Sequence, residues 1–136
     1  MTQGMEFIWP LRIYYEDTDA AGVVYHSNYL KFMERARTEW LRELGVEQTQ
    51  LIADTGMVFA IRQAELTFRQ PARYGEALTV RSRLIKVSPV RMRFSQQIVR
   101  DQLLVEGEVE VVCVNSLTFK PVKMPVHIKQ KLDALL

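Results

Sequence analysis

The chain has 136 residues, of which 48% are hydrophobic and 25% are charged, and its formal net charge at pH 7 is +2. This length predicts one domain over residues 1–136, and so small a net charge excludes an argument for nucleic-acid binding from charge alone. The single cysteine, Cys113, excludes an intrachain disulfide and suits a reducing compartment. The sequence shows neither a signal peptide nor an apolar stretch of about 20 residues, so we expect a cytoplasmic protein without a membrane span.

Hydrophobic periodicity predicts one long helix and five strands, an α+β pattern with an antiparallel sheet. The first strand covers 7–15, where Pro10 indicates an edge, and the long helix runs from about Asn28 to Leu44, before Gly45. A short helix over 46–54 follows. The later strands cover 60–69, 79–87, 91–100 and 103–115, and a short amphipathic helix closes the chain. In the strand over 60–69, alternation predicts that one face carries Ala60, Arg62, Ala64, Leu66 and Phe68.

Charged residues on these elements are predicted to form structural ion pairs. On the long helix, Arg35 and Glu39 lie one turn apart and can pair, and Glu34 is expected to be structural or to support a nearby site. The last strand alternates apolar residues with Glu106, Glu108 and Glu110. We expect arginines of the two preceding strands to balance these glutamates on the outer face of the sheet, namely Arg81, Arg83, Arg91 and Arg93.

Residues with potential chemistry are concentrated between the first strand and the long helix, in the segment 14–30. Asp19 precedes two alanines and a glycine, which would let a substrate approach the backbone. His26 lies just before the helix start, where backbone N–H groups and the positive end of the helix dipole are available. A carboxylate opposite such N–H groups can attack a carbonyl or activate a water while the N–H groups stabilise the oxyanion. The same residue types also form ordinary turns and caps, so composition alone leaves both interpretations open.

The whole string carries more information than its composition. Residues 14–30 read YYEDTDAAGVVYHSNYL, and ERAR follows at 34–37. This string resembles the signature of hotdog-fold acyl-CoA thioesterases of the 4-hydroxybenzoyl-CoA thioesterase type, and most resembles the Tol-Pal-associated branch found in Gram-negative bacteria. The resemblance implies a hotdog fold, in which a curved five-stranded antiparallel sheet wraps around one long helix. It also implies a homodimer or homotetramer with sites at the subunit boundary.

The resemblance implies hydrolysis of an acyl thioester of coenzyme A or of a related carrier, including acyl carrier protein. It makes Asp19 the catalytic carboxylate, either as nucleophile or as general base, and the two routes stay open. The backbone N–H of His26 would polarise the thioester carbonyl. Tyr15 and the His26 side chain are expected to orient the carboxylate, the water or the leaving thiolate. Asn28 is expected to cap the helix and so fix that N–H.

The resemblance places the nucleotide of coenzyme A near the connection between the third and fourth strands, which carries Lys86, Ser88, Arg91 and Arg93. Ion pairs with the glutamates of the last strand explain the same arginines equally well. No metal and no other cofactor are expected. A thiolate is a good leaving group and needs little help, and the group of Asp17, Asp19 and His26 lacks a recognised spacing of metal ligands. Cys113 is predicted to be a small buried hydrophobic residue rather than a nucleophile.

Two other functions stay open from the sequence. A hotdog hydratase or dehydratase would use an acid and a histidine on an enoyl or hydroxyacyl thioester, although the known relatives place these residues in different motifs. A non-catalytic protein that binds acyl carrier protein or an envelope-assembly partner would use its surface arginines. In that second case the protein would keep its cellular role after loss of Asp19.

Overall fold

The chain forms five antiparallel strands with one long helix across a face of the sheet, in a computed structural model that describes residues 5–136. The strands are β1 (Glu6–Arg12), β2 (Met57–Phe68), β3 (Ala77–Val87), β4 (Arg91–Val99) and β5 (Leu103–Asn115). The helices are α1 (Asn28–Glu43), α2 (Gln48–Thr55) and α3 (Val126–Asp133). The order β1-β3-β4-β5-β2 makes β1 and β2 the two edges. The predicted α+β arrangement and the edge position of Pro10 are confirmed.

Helix α1 is amphipathic, and its apolar face is the one that the i, i+3, i+4 spacing predicts. The buried apolar residues are Tyr29, Phe32, Met33, Ala36, Trp40 and Leu41. Gly45, at φ +86°, takes the left-handed conformation that ends the helix. The predicted Arg35–Glu39 pair is wrong: Glu39 binds Arg42 at 2.6 Å. Arg35 instead lies over the ring of Phe32, with 5.8 Å between guanidinium carbon and ring centroid.

The edge strand β2 departs from the predicted alternation. A register shift occurs between Ile61 and Gln63, so that Arg62 is an extra residue in the ladder with β5. Opposite residues in an antiparallel pair share a face, and Ile61 faces Val111 whereas Ala64 faces Val109. Ile61 and Ala64 therefore lie on the inner face together, and the prediction that Arg62 shares the face of Ala64 is wrong.

All three glutamates of β5 that were predicted to be paired form ion pairs on the outer face of the sheet. Arg93 on β4 binds Glu108 at 2.7 Å. The other two β5 glutamates pair with arginines in and after β2, as Arg62–Glu110 and Arg69–Glu106. Arg81 and Arg83 do not reach these glutamates but bind Glu6 on β1, at 2.8 and 3.2 Å. The reason is the sheet order, because β3 lies between β1 and β4 and has no border with β5.

The core beneath α1 divides into two apolar clusters. One surrounds the N-terminal half of α1 and includes Val80 and Ile98; the other surrounds its C-terminal half and includes Leu84 and Phe94. Three buried polar residues, Arg37, Ser82 and Gln96, lie at the border of the two clusters. No helix within residues 5–136 is long and apolar enough to cross a membrane.

Candidate functional site

The segment between β1 and α1 folds against the residues that precede β3. The N–H of Ile13 donates to the carbonyl of Glu76 at 2.9 Å, and the N–H of Val24 donates to the carbonyl of Ala72 at 2.8 Å. Thr18 and Val24 form an isolated antiparallel bridge. The segment is therefore a small hairpin anchored at its base, which presents its tip to solvent.

Asp19 lies at the tip of this hairpin. Its N–H donates to the carbonyl of Val23 at 2.9 Å, and its carbonyl accepts the N–H of Gly22 at 3.0 Å. Gly22 has φ +80°, a conformation that a side chain disfavours. The Asp19 side chain is exposed, and its Oδ1 accepts the N–H of Ala21 at 2.8 Å. The backbone turn thus fixes the carboxylate while leaving it open to solvent.

Asp17 ties the hairpin to the start of α1. Its carbonyl accepts the N–H of Tyr25 at 3.1 Å and the side-chain amide of Asn28 at 2.9 Å. Asn28 is the first residue of α1, and the N-cap position belongs to Ser27, whose side chain makes no capping bond. The prediction that Asn28 caps the helix is therefore wrong, because its side chain donates to Asp17 instead. The carboxylate of Asp17 is also occupied, since it accepts the N–H of Tyr14 at 2.8 Å.

His26 lies in the turn that leads into α1. Its carbonyl accepts the N–H of Tyr29 at 3.4 Å, so the turn is continuous with the helix. Within residues 5–136, the backbone N–H of His26 donates to no acceptor. Its exposed ring lies 4.5 Å from the ring of Tyr25 and 6.3 Å, edge to face, from that of Phe68. The sequence prediction of an available N–H at this position thus matches the geometry.

An open, mostly apolar pocket of about 260 Å³ lies beside His26. Its walls include Val24, Tyr29, Phe68 and Pro71. Tyr29 is buried, its hydroxyl accepts the N–H of Ala72 at 3.1 Å, and burial raises the pKa of this hydroxyl. The sequence pattern did not indicate Phe68 or Pro71 as parts of the site. Phe68 is the last residue of the edge strand β2 and Pro71 follows it, far along the chain from His26, so only the tertiary fold brings them together.

Tyr15 occupies the single 3-10 turn Tyr15–Asp17 before the hairpin. Its side chain is 81% exposed and contacts the ring of Tyr74 edge to face at 6.0 Å. Among the described residues, neither Tyr15 nor His26 hydrogen-bonds to the Asp19 carboxylate. The structure thus brings the three predicted catalytic residues to one junction without direct side-chain contacts between them.

The predicted nucleotide-binding residues lie at the other end of the sheet. Lys86, Ser88, Arg91 and Arg93 surround a pocket of about 150 Å³ at the β3–β4 turn. Ser88 Oγ accepts the N–H of Arg91 at 3.0 Å and so closes the turn, while Arg93 is bound to Glu108. β3 begins beside the hairpin and ends at this turn, a distance of roughly 30 Å at about 3.3 Å per residue. One chain therefore does not bring Asp19 and Arg91 together.

In the part of the chain that the structure describes, the side chains form no cluster of metal ligands, and the free cysteine is buried. Within residues 5–136, no three His, Cys, Asp or Glu side chains are grouped so that they could hold a metal ion. Cys113 is fully buried in β5, and burial raises the pKa of its thiol to about 12. Such a thiol stays protonated at neutral pH and is a poor nucleophile.

The five-stranded antiparallel sheet over one long helix is the arrangement of the hotdog fold, which the sequence resemblance implies. Residues 14–132 match the thioesterase-like superfamily, and the chain belongs to this family. An Escherichia coli protein named acyl-CoA thioester hydrolase YbgC is 43% identical over 124 residues, covering 90% of this chain and 92% of that protein. A Haemophilus influenzae protein named acyl-CoA thioesterase YbgC is 38% identical, with 90% and 91% coverage.

Solved structures agree with this family. A probable thioesterase from Bartonella henselae has a TM-score of 0.83 and 34% identity, covering 89% of this chain and 100% of that chain. A 1,4-dihydroxy-2-naphthoyl-CoA thioesterase from Synechocystis has a TM-score of 0.87 and 25% identity, with coverage of 96% and 98%. The predicted hotdog fold and thioesterase class are confirmed.

Proposed function

We propose that this chain hydrolyses acyl-CoA thioesters, with Asp19 as the catalytic carboxylate and the His26 N–H as the donor that polarises the carbonyl. One observation carries the proposal: an exposed carboxylate at the tip of the hairpin and an unused N–H at the helix start belong to the same short segment, and an apolar pocket lies next to that N–H. The names of the YbgC relatives support the acyl-CoA substrate.

The reaction needs little beyond these groups. The Asp19 carboxylate attacks the thioester carbonyl to give a mixed anhydride, or it removes a proton from a water that attacks the same carbon. In both routes negative charge develops on the carbonyl oxygen, where the His26 N–H and the helix dipole stabilise it. The carbon–sulfur bond then breaks, and the thiolate of coenzyme A leaves and takes a proton from water. In the first route a water then hydrolyses the mixed anhydride, which releases the acid and restores the Asp19 carboxylate. The apolar walls at Tyr29 and Phe68 suit the acyl group.

The nucleotide of coenzyme A carries phosphates, and we propose that Arg91 and Lys86 bind them. Arg91 is exposed and forms no ion pair within residues 5–136, whereas Arg93 is bound to Glu108. Since Arg91 lies far from Asp19 in one chain, this assignment requires a second copy to complete the site. A homodimer or homotetramer, as the family resemblance implies, would supply it.

The proposal also covers the compartment in which the enzyme acts and the donor of its acyl group. We propose that the enzyme belongs to the Tol-Pal-associated branch and acts in the cytoplasm, as the sequence resemblance implies, and the YbgC names of the relatives are consistent with that branch. Acyl carrier protein is a second possible donor of the acyl group, because it presents the same thioester on phosphopantetheine. A carrier protein would replace the nucleotide contacts with protein contacts at the arginines.

Free-thiol release from short, long and aromatic acyl-CoAs tests the activity. Cys113 is buried and protonated, so the native enzyme gives little background with a thiol reagent. We expect Asp19→Asn to lower kcat by about two to four orders of magnitude, the scale for loss of a catalytic base or nucleophile. Asp17→Asn is the matched control, because its amide oxygen can still accept the Tyr14 N–H.

The control should keep most of the activity. Equal activity of Asp19→Asn and wild type would contradict the assignment of Asp19. If no acyl-CoA is hydrolysed while the chain binds acyl carrier protein, the non-catalytic function replaces this one.

A further inference from the structure

The three buried polar residues at the border of the two core clusters form one hydrogen-bonded network. The guanidinium Nη1 of Arg37 donates to Gln96 Oε1 at 2.9 Å. The Gln96 amide nitrogen donates to Ser82 Oγ at 2.9 Å and to the backbone carbonyl of Met33 at 3.0 Å. Gln96 and Ser82 are fully buried and Arg37 is 5% exposed. The network therefore joins helix α1 to strands β3 and β4 at a single point.

A charged side chain in this place is costly for stability. Arg37 forms no ion pair within the part of the chain that the structure describes, and its side-chain partner is a neutral amide. Burial lowers the pKa of Arg37 to about 10, so it keeps its charge at neutral pH. Apolar residues of similar volume would fill such a position at equal or lower cost. A role other than stability would account for the network.

The hydrogen bonds of Gln96 fix the position of α1 along its own axis relative to the sheet. The apolar contacts of α1 are non-directional and tolerate a small slide of the helix over the sheet. A hydrogen bond between buried partners needs a distance of about 2.7–3.2 Å and good alignment, so a slide by one residue rise of about 1.5 Å would break it. Gln96 binds both a side chain and a backbone carbonyl of α1, which fixes the helix in register with β4.

The start of the same helix carries the carbonyl-polarising donor. Met33 lies two helical turns after His26, and the turn at His26 is hydrogen-bonded to α1 through the Tyr29 N–H. A helix moves as a nearly rigid rod over this distance, so an axial shift at Met33 displaces the His26 N–H by the same amount. A misplacement of about 1 Å in a reacting group can cost about 100-fold in rate.

We propose that Gln96 and Arg37 are positioning residues for thioester hydrolysis, which hold α1 in register so that the His26 N–H meets the thioester carbonyl. This inference rests on the proposed roles of Asp19 and His26. The network touches neither substrate nor reacting atoms. It acts through the helix alone.

The double variant Arg37→Met/Gln96→Met separates positioning from stability. Replacing Arg37 and Gln96 by apolar residues leaves no buried unpaired charge and only the Ser82 hydroxyl without its partner, so the variant should fold with a Tm within a few degrees of that of the wild type. We expect kcat to fall by about 10- to 100-fold, while the Kd for a non-hydrolysable thioether analogue of acyl-CoA changes less than about twofold. The matched control is Arg35→Met/Gln97→Met, on the same helix and strand but with both side chains exposed. It should keep both parameters.

Two kinetic outcomes overturn the inference, and an NMR measurement gives a third. One is a double variant that keeps wild-type kcat, and the other is a loss of kcat that the control shares. An NMR readout is independent of catalysis, because loss of register should broaden or double the amide signals of residues 26–30 in the double variant and not in the control. If the wild type proves inactive, the NMR spectra still test the inference. Unchanged amide signals of residues 26–30 in the double variant would then show that the network does not hold α1 in register. If Asp19→Asn proves fully active, the proposed function fails separately.

Discussion

Two aspartates two residues apart, Asp17 and Asp19, differ in their hydrogen bonds. The carbonyl and carboxylate of Asp17 are both occupied by groups of the loop and of α1. Asp19 accepts one backbone N–H at the hairpin tip and otherwise faces solvent. The residue that carries more structural bonds is therefore not the residue that we assign to catalysis.

Asn28 gives a prediction at this scale. Asn28→Ala removes the amide that donates to the Asp17 carbonyl at 2.9 Å, so we expect the free energy of unfolding to fall by about 1 kcal/mol. Ser27→Ala is the matched control, since the Ser27 side chain makes no capping bond. Urea unfolding of the three proteins measures both changes. A larger loss for Ser27→Ala than for Asn28→Ala would mean that Ser27 caps α1 after all.

At the scale of elements, the edge strand β1 is attached to β3 by charge as well as by its ladder. A hydrogen bond from Arg81 lowers the pKa of the Glu6 carboxyl, and Arg83 lowers it further. Desolvation raises the same pKa and offsets part of this effect. A carboxyl whose folded-state pKa lies below its usual 4.5 stabilises the fold when it is ionised, above the unfolded-state pKa. That contribution disappears as the pH falls through the folded-state pKa.

We therefore expect Glu6→Gln to lower the free energy of unfolding by roughly 0.5–1 kcal/mol at pH 7, the range for partly exposed ion pairs. In acid below the folded-state pKa of Glu6, wild type and variant should unfold at the same urea concentration. Glu16→Gln, a change at an exposed residue without an ion pair within residues 5–136, is the control and should have no effect at either pH. A difference that persists in acid would show that Glu6 acts by packing and not by charge.

Elements with one strong period were predictable from the sequence, and junctions between elements were not. The apolar stripe of α1 and the alternation of β4 depend on local spacing, and the structure confirms both. The bulge at Arg62 and the Asn28–Asp17 bond depend on the partner across space. The candidate site shows the same division. The segment that carries Asp19 and His26 could be predicted from the sequence, whereas the position of Phe68 in the pocket wall depends on the tertiary fold.

At the scale of the whole molecule, one chain holds two separated halves of the proposed site. The hairpin that carries Asp19 is anchored beside the start of β3, and Arg91 lies beyond the far end of this strand, which is roughly 30 Å long. The inner face of the edge strand β2 exposes Ile61 and Phe68 at 49% and 51%. Exposed apolar residues on a sheet edge are typical of contacts between copies. We infer that the halves meet between copies.

Subunit complementation tests this arrangement. Asp19→Asn removes the catalytic half, and Arg91→Glu should raise the KM for acyl-CoA by repelling its phosphates, so each variant alone has little activity at low substrate. If each site takes Asp19 from one copy and Arg91 from another, mixed dimers contain one intact site. An equal, randomised mixture should then recover about a quarter of wild-type activity, as expected for a two-fold symmetric dimer.

The control is each variant taken alone through the same unfolding and refolding, which should regain nothing. A second control is the single chain that carries both substitutions, refolded with wild type. Ion-exchange chromatography confirms that mixed oligomers form, because the two variants differ in net charge. Mixed oligomers without recovered activity would show that Arg91 of one copy does not complete a site that contains Asp19 of another copy. In that case Arg91 cannot contact the nucleotide of a substrate bound at Asp19, because the two residues are too far apart in one chain, and the phosphates must bind elsewhere.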